Sequence, residues 1–385
     1  MKRWPTKPLG KLIAIEKGKK TPEAFAAPTR TSVRYLQIED LRPNANIKYC
    51  EPFNCPKATN SDAIIAWDGA NAGTVSCNLA GHIGSTLAVL RPIAANTLSP
   101  AFLSRFLEGN FDYLQRTATG ATIPHVSKDA LNSLQIPVPP LAEQERIVKL
   151  LDEGDELRKL RAQADRRTAD LILALFHKMF GDPVFPKVAL RELATQERNS
   201  LTNGPFGSDL LSSELTDSGV PVIYIRDISS GNYERKSTVC VMPAKATELD
   251  FCNAKPGDVL VAKVGSPPGI AAVYPAKEPH AIVTQDVIRI RPNVELALPV
   301  YVEGFLKSSL GLGEVRNITI QATRQRFSLG QFKEIKVPLP PLSLQKEFAA
   351  RVSEIRAVQA EQAASRRRLD DLFQSMLHRA FKGEL

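Results

Sequence analysis

The sequence has few cysteines and no pattern among them. Cys50, Cys55, Cys77, Cys240 and Cys252 form an odd set with no C-x-x-C pair. That excludes a disulfide framework and a four-ligand structural zinc site, and it fits free thiols in a reducing cytosol. Cys50 and Cys55 are spaced like half a metal site, yet no second ligand pair follows. No apolar run reaches the roughly eighteen residues a membrane span needs; Leu171-Ile-Leu-Ala-Leu-Phe176 comes nearest and is far too short. Met1-Lys-Arg-Trp-Pro-Thr-Lys-Pro8 carries charge without a following apolar stretch, so no signal peptide is expected and the chain is placed in the cytoplasm.

Catalytic signatures are missing as well. Glu16-Lys-Gly18-Lys-Lys-Thr21 lacks the first glycine of a phosphate loop, and Gly311-Leu-Gly313 is a lone G-x-G in a helical stretch. Amino-methylating enzymes grip the flipped base with an Asn/Asp-Pro-Pro-Tyr/Phe segment. Pro139-Pro140 and Pro340-Pro341 have neither the polar residue before nor the aromatic after. There is no G-x-S-x-G elbow and no H-E-x-x-H, and His82, His125, His177, His280 and His378 are scattered. These absences describe a binding protein that is no enzyme and binds no cofactor itself.

What is present is enough chain for two or three domains: 385 residues, 43% of them hydrophobic, with a formal charge of +9. Residues 1–140 carry 16 basic against 10 acidic residues, while residues 181–341 are close to balance at 18 and 17. A basic excess invites a nucleic-acid partner without requiring one.

The chain is two copies of one unit. Trp4-Pro-Thr-Lys-Pro-Leu9-Gly-Lys-Leu12 matches Phe185-Pro-Lys-Val-Ala-Leu190-Arg-Glu-Leu193 at an offset of 181. Leu36-Gln-Ile38-Glu-Asp40 matches Ile223-Tyr-Ile225-Arg-Asp227 at 187, and Asp62-Ala-Ile-Ile-Ala66 matches Asp258-Val-Leu-Val-Ala262 at 196. Leu87-Ala-Val-Leu-Arg91-Pro92 matches Val287-Ile-Arg-Ile-Arg291-Pro292 at 200. Pro137-Val-Pro-Pro-Leu141-Ala-Glu-Gln144 then matches Pro338-Leu-Pro-Pro-Leu342-Ser-Leu-Gln345 at 201. Offsets that climb steadily in chain order do not arise by chance; the second copy has gained about twenty residues in its loops, where insertions are tolerated.

Each copy opens as a mixed domain with a twisted sheet. Short β-branched runs at Ser32–Ile38, Thr86–Arg91, Val220–Ile225 and Val287–Ile290 alternate with turns at Gly69, Gly73, Gly265 and Gly269. Ser99 followed by Pro100 predicts a helix start, repeated at Pro299. Each copy closes as a long helix. Ile147, Leu150, Leu157, Ala164, Leu171 and Leu175 repeat mostly at three, four or seven, and so do Phe348, Ile355, Val358, Leu369, Leu372 and Met376. A forty-residue helix is about 60 Å long, longer than a domain of that size is wide, so the other copy's helix is its natural partner. Gly181-Asp-Pro183 stops the first helix. The expected architecture is α+β: two tandem pseudo-symmetric recognition domains (1–140 and 182–341) separated by two long helices (141–181 and 342–385) forming an antiparallel coiled coil. Two readers spaced along a rigid rod suit a periodic ligand such as DNA, which repeats about every 34–36 Å.

The block Ile136-Pro-Val-Pro-Pro-Leu-Ala-Glu-Gln144-Glu-Arg-Ile147, followed by a long charged helix and duplicated, resembles the specificity subunits of type I restriction–modification systems. Asn203-Gly-Pro-Phe-Gly-Ser-Asp209 and Thr284-Gln-Asp286 add to the resemblance, which covers essentially the whole chain. It implies a target recognition domain in each copy, reading one half of a bipartite site on double-stranded DNA. It implies helices that set the half-site gap and dock two modification (methyltransferase) subunits, with restriction (translocase/nuclease) subunits joining for cleavage. S-adenosylmethionine, ATP and magnesium would then belong to those partners. Some type II enzymes carry a similar subunit, which leaves the system type open. A stand-alone enzyme and a protein-binding coiled-coil scaffold are the competing classes.

Recognition domains vary most where they read bases, so the candidate contacts come from the residues. Polar side chains in turns that recur in both copies lead: Thr122, His125, Ser127 and Lys128, matched by Thr323, Arg324, Gln325, Arg326 and Ser328. Arginine can fork onto guanine and glutamine onto adenine; the alternative is that the arginines pair with carboxylates of their own domain. The glycine turns add Asn71, Lys263 and Ser266, with Trp67 there for packing, and the second copy's opening segment adds Ser208. Lys17, Lys19 and Lys20 are expected on phosphate. By the resemblance, the helix starts around Gln144, Arg146, Gln345 and Lys346 are expected to dock partner subunits.

Overall fold

A computed structural model describes residues 4–41, 46–94, 96–120, 122–181 and 185–384. It divides into two compact units, residues 1–163 with 363–385, and residues 164–362.

In unit 1 the run Ala63–Ala66 is a strand buried on both faces. Side chains alternate across a strand, so Ala63 and Ile65 face a core with Phe102, Leu103 and Leu131. Ile64 and Ala66 face a second core with Leu36 and Ile83. That double burial is why the sequence there is continuously apolar. The strand lies in an antiparallel sheet of order Ile13–Lys17, Leu87–Pro92, Ala63–Ala66, Val75–Cys77. The helix Pro100–Gly109 covers one face, capped where Phe102 N donates to Ser99 Oγ at 3.4 Å. A second sheet covers the other: Lys48–Cys50, Val33–Leu36, Gly81–Ile83, Lys57–Ala58, with Val33–Leu36 and Gly81–Ile83 parallel.

Unit 2 repeats these layers. Its sheets run Leu201–Asn203, Val287–Ile290, Val259–Ala262, Ala271–Val273, and Leu215–Thr216, Cys240–Val241, Val220–Ile223, Ala281–Val283, Asn253–Ala254. Val259 and Val261 face the helical core, Leu260 and Ala262 the second one. Some of the extra residues of this copy form the helix Pro243–Glu248. In each copy the first strand pairs with the last before the long helix, Thr6–Pro8 with Gln135–Pro137 and Lys187–Ala189 with Lys336–Pro338.

Both long helices contribute to both units, antiparallel in each. In unit 1, Ile147 and Leu151 share a core with Phe373, Leu377 and Ala380, and Arg158 Nε donates to Asp370 Oδ1 at 2.8 Å. In unit 2, Phe176, Phe180, Tyr301 and Phe348 form an aromatic cluster, with Phe176 and Phe348 5.6 Å apart edge to face.

Two details differ from the sequence reading. The first long helix is Leu141–Ala169 and then Leu171–Phe180, interrupted at Asp170. Gln359 Nε2 donates to the Thr168 carbonyl at 2.8 Å, and Thr168 Oγ1 bonds Gln362 Oε1 at 2.7 Å. A donor inserted at a helix carbonyl competes with the i→i−4 ladder and breaks it locally. Asp182 and Pro183 of the stop signal lie outside the described residues. The seam also runs along a different stripe. Leu157, Leu171, Val358 and Leu372 are 54%, 44%, 49% and 55% exposed. Gly154, Arg158 and Thr168 take the facing positions instead. Apolar periodicity missed a seam whose middle is polar.

Candidate nucleic-acid interface

In each unit three segments remote in sequence converge. In unit 1 they are the end of the strand Ile13–Lys17, the turn 67–73 and the loop 119–126. Gly69 N donates to Pro124 O at 2.8 Å and Val126 N to Trp67 O at 2.9 Å, while Thr119 and His125 exchange both backbone hydrogen bonds. On this frame Asp68 accepts from Lys17 Nζ on one oxygen (2.8 Å) and from His125 Nδ1 on the other (2.6 Å). Burial opposes the charged form of Asp68, but the hydrogen bonds and charges of Lys17 and His125 prevail and hold its carboxyl below the usual value. The chain reaches this corner through Gly18, where a Cβ would sit 2.2 Å from the Gly84 carbonyl oxygen, so no other residue fits without moving backbone.

In unit 2 the same three places are the segment 203–209, the turn 263–269 and the loop 320–327. Gly265 N donates to Gln325 O at 3.1 Å, Phe327 N to Lys263 O at 3.4 Å and Ile320 N to Arg326 O at 2.8 Å. Lys263 Nζ lies 5.8 Å from the ring centroid of Phe206, which is 56% exposed. Arg324 and Arg326 are exposed, and among the described residues neither pairs with a carboxylate. Gln325 Nε2 bonds Gln321 Oε1 at 2.8 Å.

The residues singled out in sequence therefore sort by what they touch. His125, Asn71 and Lys17 gather in unit 1, and Lys263, Ser266, Gln325 and Arg326 in unit 2, with Thr122, Thr323 and Arg324 exposed on the same loops. Ser127 and Ser328 are helix N-caps, accepting from Ala130 N and Gln331 N at 3.2 Å each; Lys128 is exposed at the start of the first of these helices. Lys17 is paired with Asp68 and Lys19 donates to Asn54 O at 3.0 Å, while Lys20 is exposed. Ser208 lies in the short turn Gly207–Asp209, and its side chain is outside what the structure describes. Trp67 packs against the unit 1 core. Sequence reasoning missed Asp68 and left Phe206 out of the contact set. The visible signal for Asp68 was a charged residue in a turn where the other copy has Val264.

The docking expectation needs correction at the glutamines. Gln144 and Gln345 are fully buried. Gln144 accepts from Ser99 N at 2.8 Å and donates to Thr97 O and Pro139 O at 3.0 and 2.9 Å. Gln345 does the same with Leu298 N, Leu296 O and Pro340 O. Each carboxamide staples its long helix to its own domain and offers nothing to a partner. Arg146, paired with Glu143 at 2.8 Å, and Lys346 are solvent-exposed. Gln144→Ala leaves three buried or half-buried backbone groups unpaired and is expected to cost about 3 kcal/mol. Calorimetric melting of this variant beside Arg146→Ala, which should be near neutral, checks it.

A duplicated α+β unit with matching polar, partly cationic corners and a shared pair of long helices is a two-headed binding protein. The chain belongs to the family of the type I restriction modification DNA specificity domain, whose model matches residues 1–165 and again 209–365. It is 26% identical over 372 residues to the type I restriction enzyme MjaVIII specificity subunit of Methanocaldococcus jannaschii, covering 91% of this chain and 86% of that one. It is 24% identical over 371 residues to the EcoKI specificity subunit of Escherichia coli, covering 86% and 76%. Among solved structures, one from work on assembly and conformational transition of a type I system matches with a TM-score of 0.67 at 21% identity, covering 100% of this chain and 99% of that one. The specificity subunit of M. genitalium matches with a TM-score of 0.54 at 17% identity over 98% and 96%. At those identities the likeness is one of fold.

Proposed function

We propose that this chain is the non-catalytic DNA specificity subunit of a type I restriction–modification complex. Each unit reads one half of a bipartite target through the corner where its three polar segments meet. The observation that carries the reading is that this corner recurs in both copies, and that in unit 2 it presents Arg324 and Arg326 without carboxylate partners among the described residues. Unpaired guanidinium forks on an exposed loop suit the acceptors of guanine edges and phosphates.

The partners are two modification subunits, with restriction subunits joining for cleavage, and the cofactors S-adenosylmethionine, ATP and magnesium belong to them. The complex works in the cytoplasm. Leu157 and Leu160, each about half exposed on the first long helix of unit 1, together with Arg146, support a helical docking surface on that unit, and Lys346 is exposed at the equivalent helix start of unit 2. The test is to express the modification subunit encoded beside this chain, with and without it, and to map methylated adenines on host DNA. Methylation at one split motif with a fixed gap, only when the chain is present, is the expected result. The same methylation without the chain, or a purified chain that binds S-adenosylmethionine itself, would sink the proposal.

A further inference from the structure

The corner of unit 1 holds an arrangement that ordinary surface packing does not require. His125 is 45% exposed at its side chain, yet its Nδ1 lies 2.6 Å from Asp68 Oδ1. An ionised carboxylate only accepts, so the ring nitrogen facing it must carry the proton. Lys17 holds the second oxygen of Asp68 at 2.8 Å and keeps the carboxylate charged. The ring is also fixed in place. Thr119 and His125 pair through their backbones, and Gly120, at φ +96, lies beneath the imidazole. A Cβ there would come within 2.9 Å of His125 Cδ2 and 3.3 Å of Nε2. Among the described residues nothing bonds Nε2. In its neutral form the ring therefore shows solvent a bare acceptor nitrogen on a rigid mount.

We propose that Asp68 is a positioning residue that fixes the tautomer of His125, and that His125 Nε2 reads an exocyclic amino group of a base in the half-site of unit 1. The inference rests on the specificity-subunit reading. An acceptor faces the acceptor oxygens of phosphate unfavourably, whereas adenine N6 and cytosine N4 offer donors in the major groove. The matching place in unit 2 carries Arg326, all donors, with Val264 where unit 1 has Asp68. Arg326 thus suits guanine acceptors, and the two corners read opposite hydrogen-bond polarity. A carboxylate–imidazole pair is also two-thirds of a hydrolytic triad, but among the described residues no hydroxyl or thiol bonds Nε2 to serve as nucleophile.

The full-length chain labelled with ¹⁵N-histidine reports the tautomer directly. The wild type should show His125 protonated on Nδ1 with Nε2 bare, Lys17→Ala should keep that state, and Asp68→Asn should shift it towards Nε2–H. In the methylation map, Asp68→Asn and His125→Ala should each relax one base pair of one half-site by about tenfold, the worth of one hydrogen bond, with the other half-site and the gap unchanged. Wild-type His125 found protonated on Nε2 overturns the inference, as does equal weakening on every sequence, the mark of a phosphate contact. An unaltered motif in both variants overturns it while leaving the specificity-subunit reading standing. A map on which no motif depends on the chain overturns both.

Discussion

Alanine at both Arg324 and Arg326 is expected to weaken specific DNA binding by about two orders of magnitude, if each fork is worth about 1.5 kcal/mol of discrimination. Neither arginine has a carboxylate partner among the described residues, so their removal leaves no uncompensated charge behind and unit 2 should fold normally. Arg326 is placed by its own backbone bonds to Ile320, and the loop is tied to the turn at Gly265 and Lys263. The fork therefore sits on a defined mount, and the loss should fall on one half of the split motif only. Lysine at the same positions separates the two kinds of contact: it keeps the charge but loses the planar fork. If these residues read bases, Arg326→Lys should keep the salt dependence of binding and lose discrimination at one position. If they hold phosphate, the alanine variants should weaken specific and non-specific DNA alike and flatten the salt slope by about one per residue. Affinity measured on both DNAs across a salt series decides between them. No change on either DNA would place the loop outside the interface.

Much of this was legible in the sequence because the repeat is a long-range signal that needs no knowledge of contacts. Strands Val33–Leu36, Val220–Ile223 and Val287–Ile290 fall inside the β-branched runs, and the helices capped by Ser99 and opened by Pro299 start where the sequence signals put them. The loops and turns chosen for polar, recurring residues meet at one corner of each unit. What escaped are the features defined by pairing. The helix seam was sought as an apolar stripe, but Arg158–Asp370 and Thr168–Gln362 hold its middle. Gln144 and Gln345 look like polar helix-start residues, and only the structure shows that each is buried and holds three backbone partners. Asp68 lies 57 residues from His125, and composition cannot say that they touch.

The same limit applies to Asp62 and Arg91, and to Asp258 and Arg291, seen in sequence only as repeated letters. In the fold each aspartate grips its arginine: Arg91 Nε donates to Asp62 Oδ1 at 2.9 Å, and Arg291 donates twice to Asp258 at 3.0 Å. Identical motifs need not have equal weight. Asp62 is 2% exposed, but the Arg91 side chain is 39% exposed and also reaches Glu16. In unit 2 the Arg291 side chain is 19% exposed, and the strand brings a second guanidinium, Arg289, to a place where unit 1 has Val89. Arg289 is 2% exposed; burial, then the neighbouring Arg291, pushes its pKa down, and Asp258 at 3.9 Å is its nearest countercharge. Asp258→Ala thus leaves buried Arg289 without a carboxylate among the described residues and Arg291 with only the exposed Glu197 at 3.4 Å, and it is expected to cost about 4 kcal/mol. Asp62→Ala leaves Arg91 still paired with Glu16 at 3.0 Å and within reach of water, and should cost about 2 kcal/mol. Burial works against the Asp62 charge, yet the hydrogen bonds from Arg91 and Thr59 outweigh it and lower its pKa. Its contribution is therefore complete above the unfolded carboxylate value of about 3.9 and fades as pH falls through the lower folded one. Hydrogen exchange in Val259–Ala262 and Ala63–Ala66 reads the two units separately. Equal destabilisation by the two variants would mean that Arg289 does not depend on Asp258 for its charge.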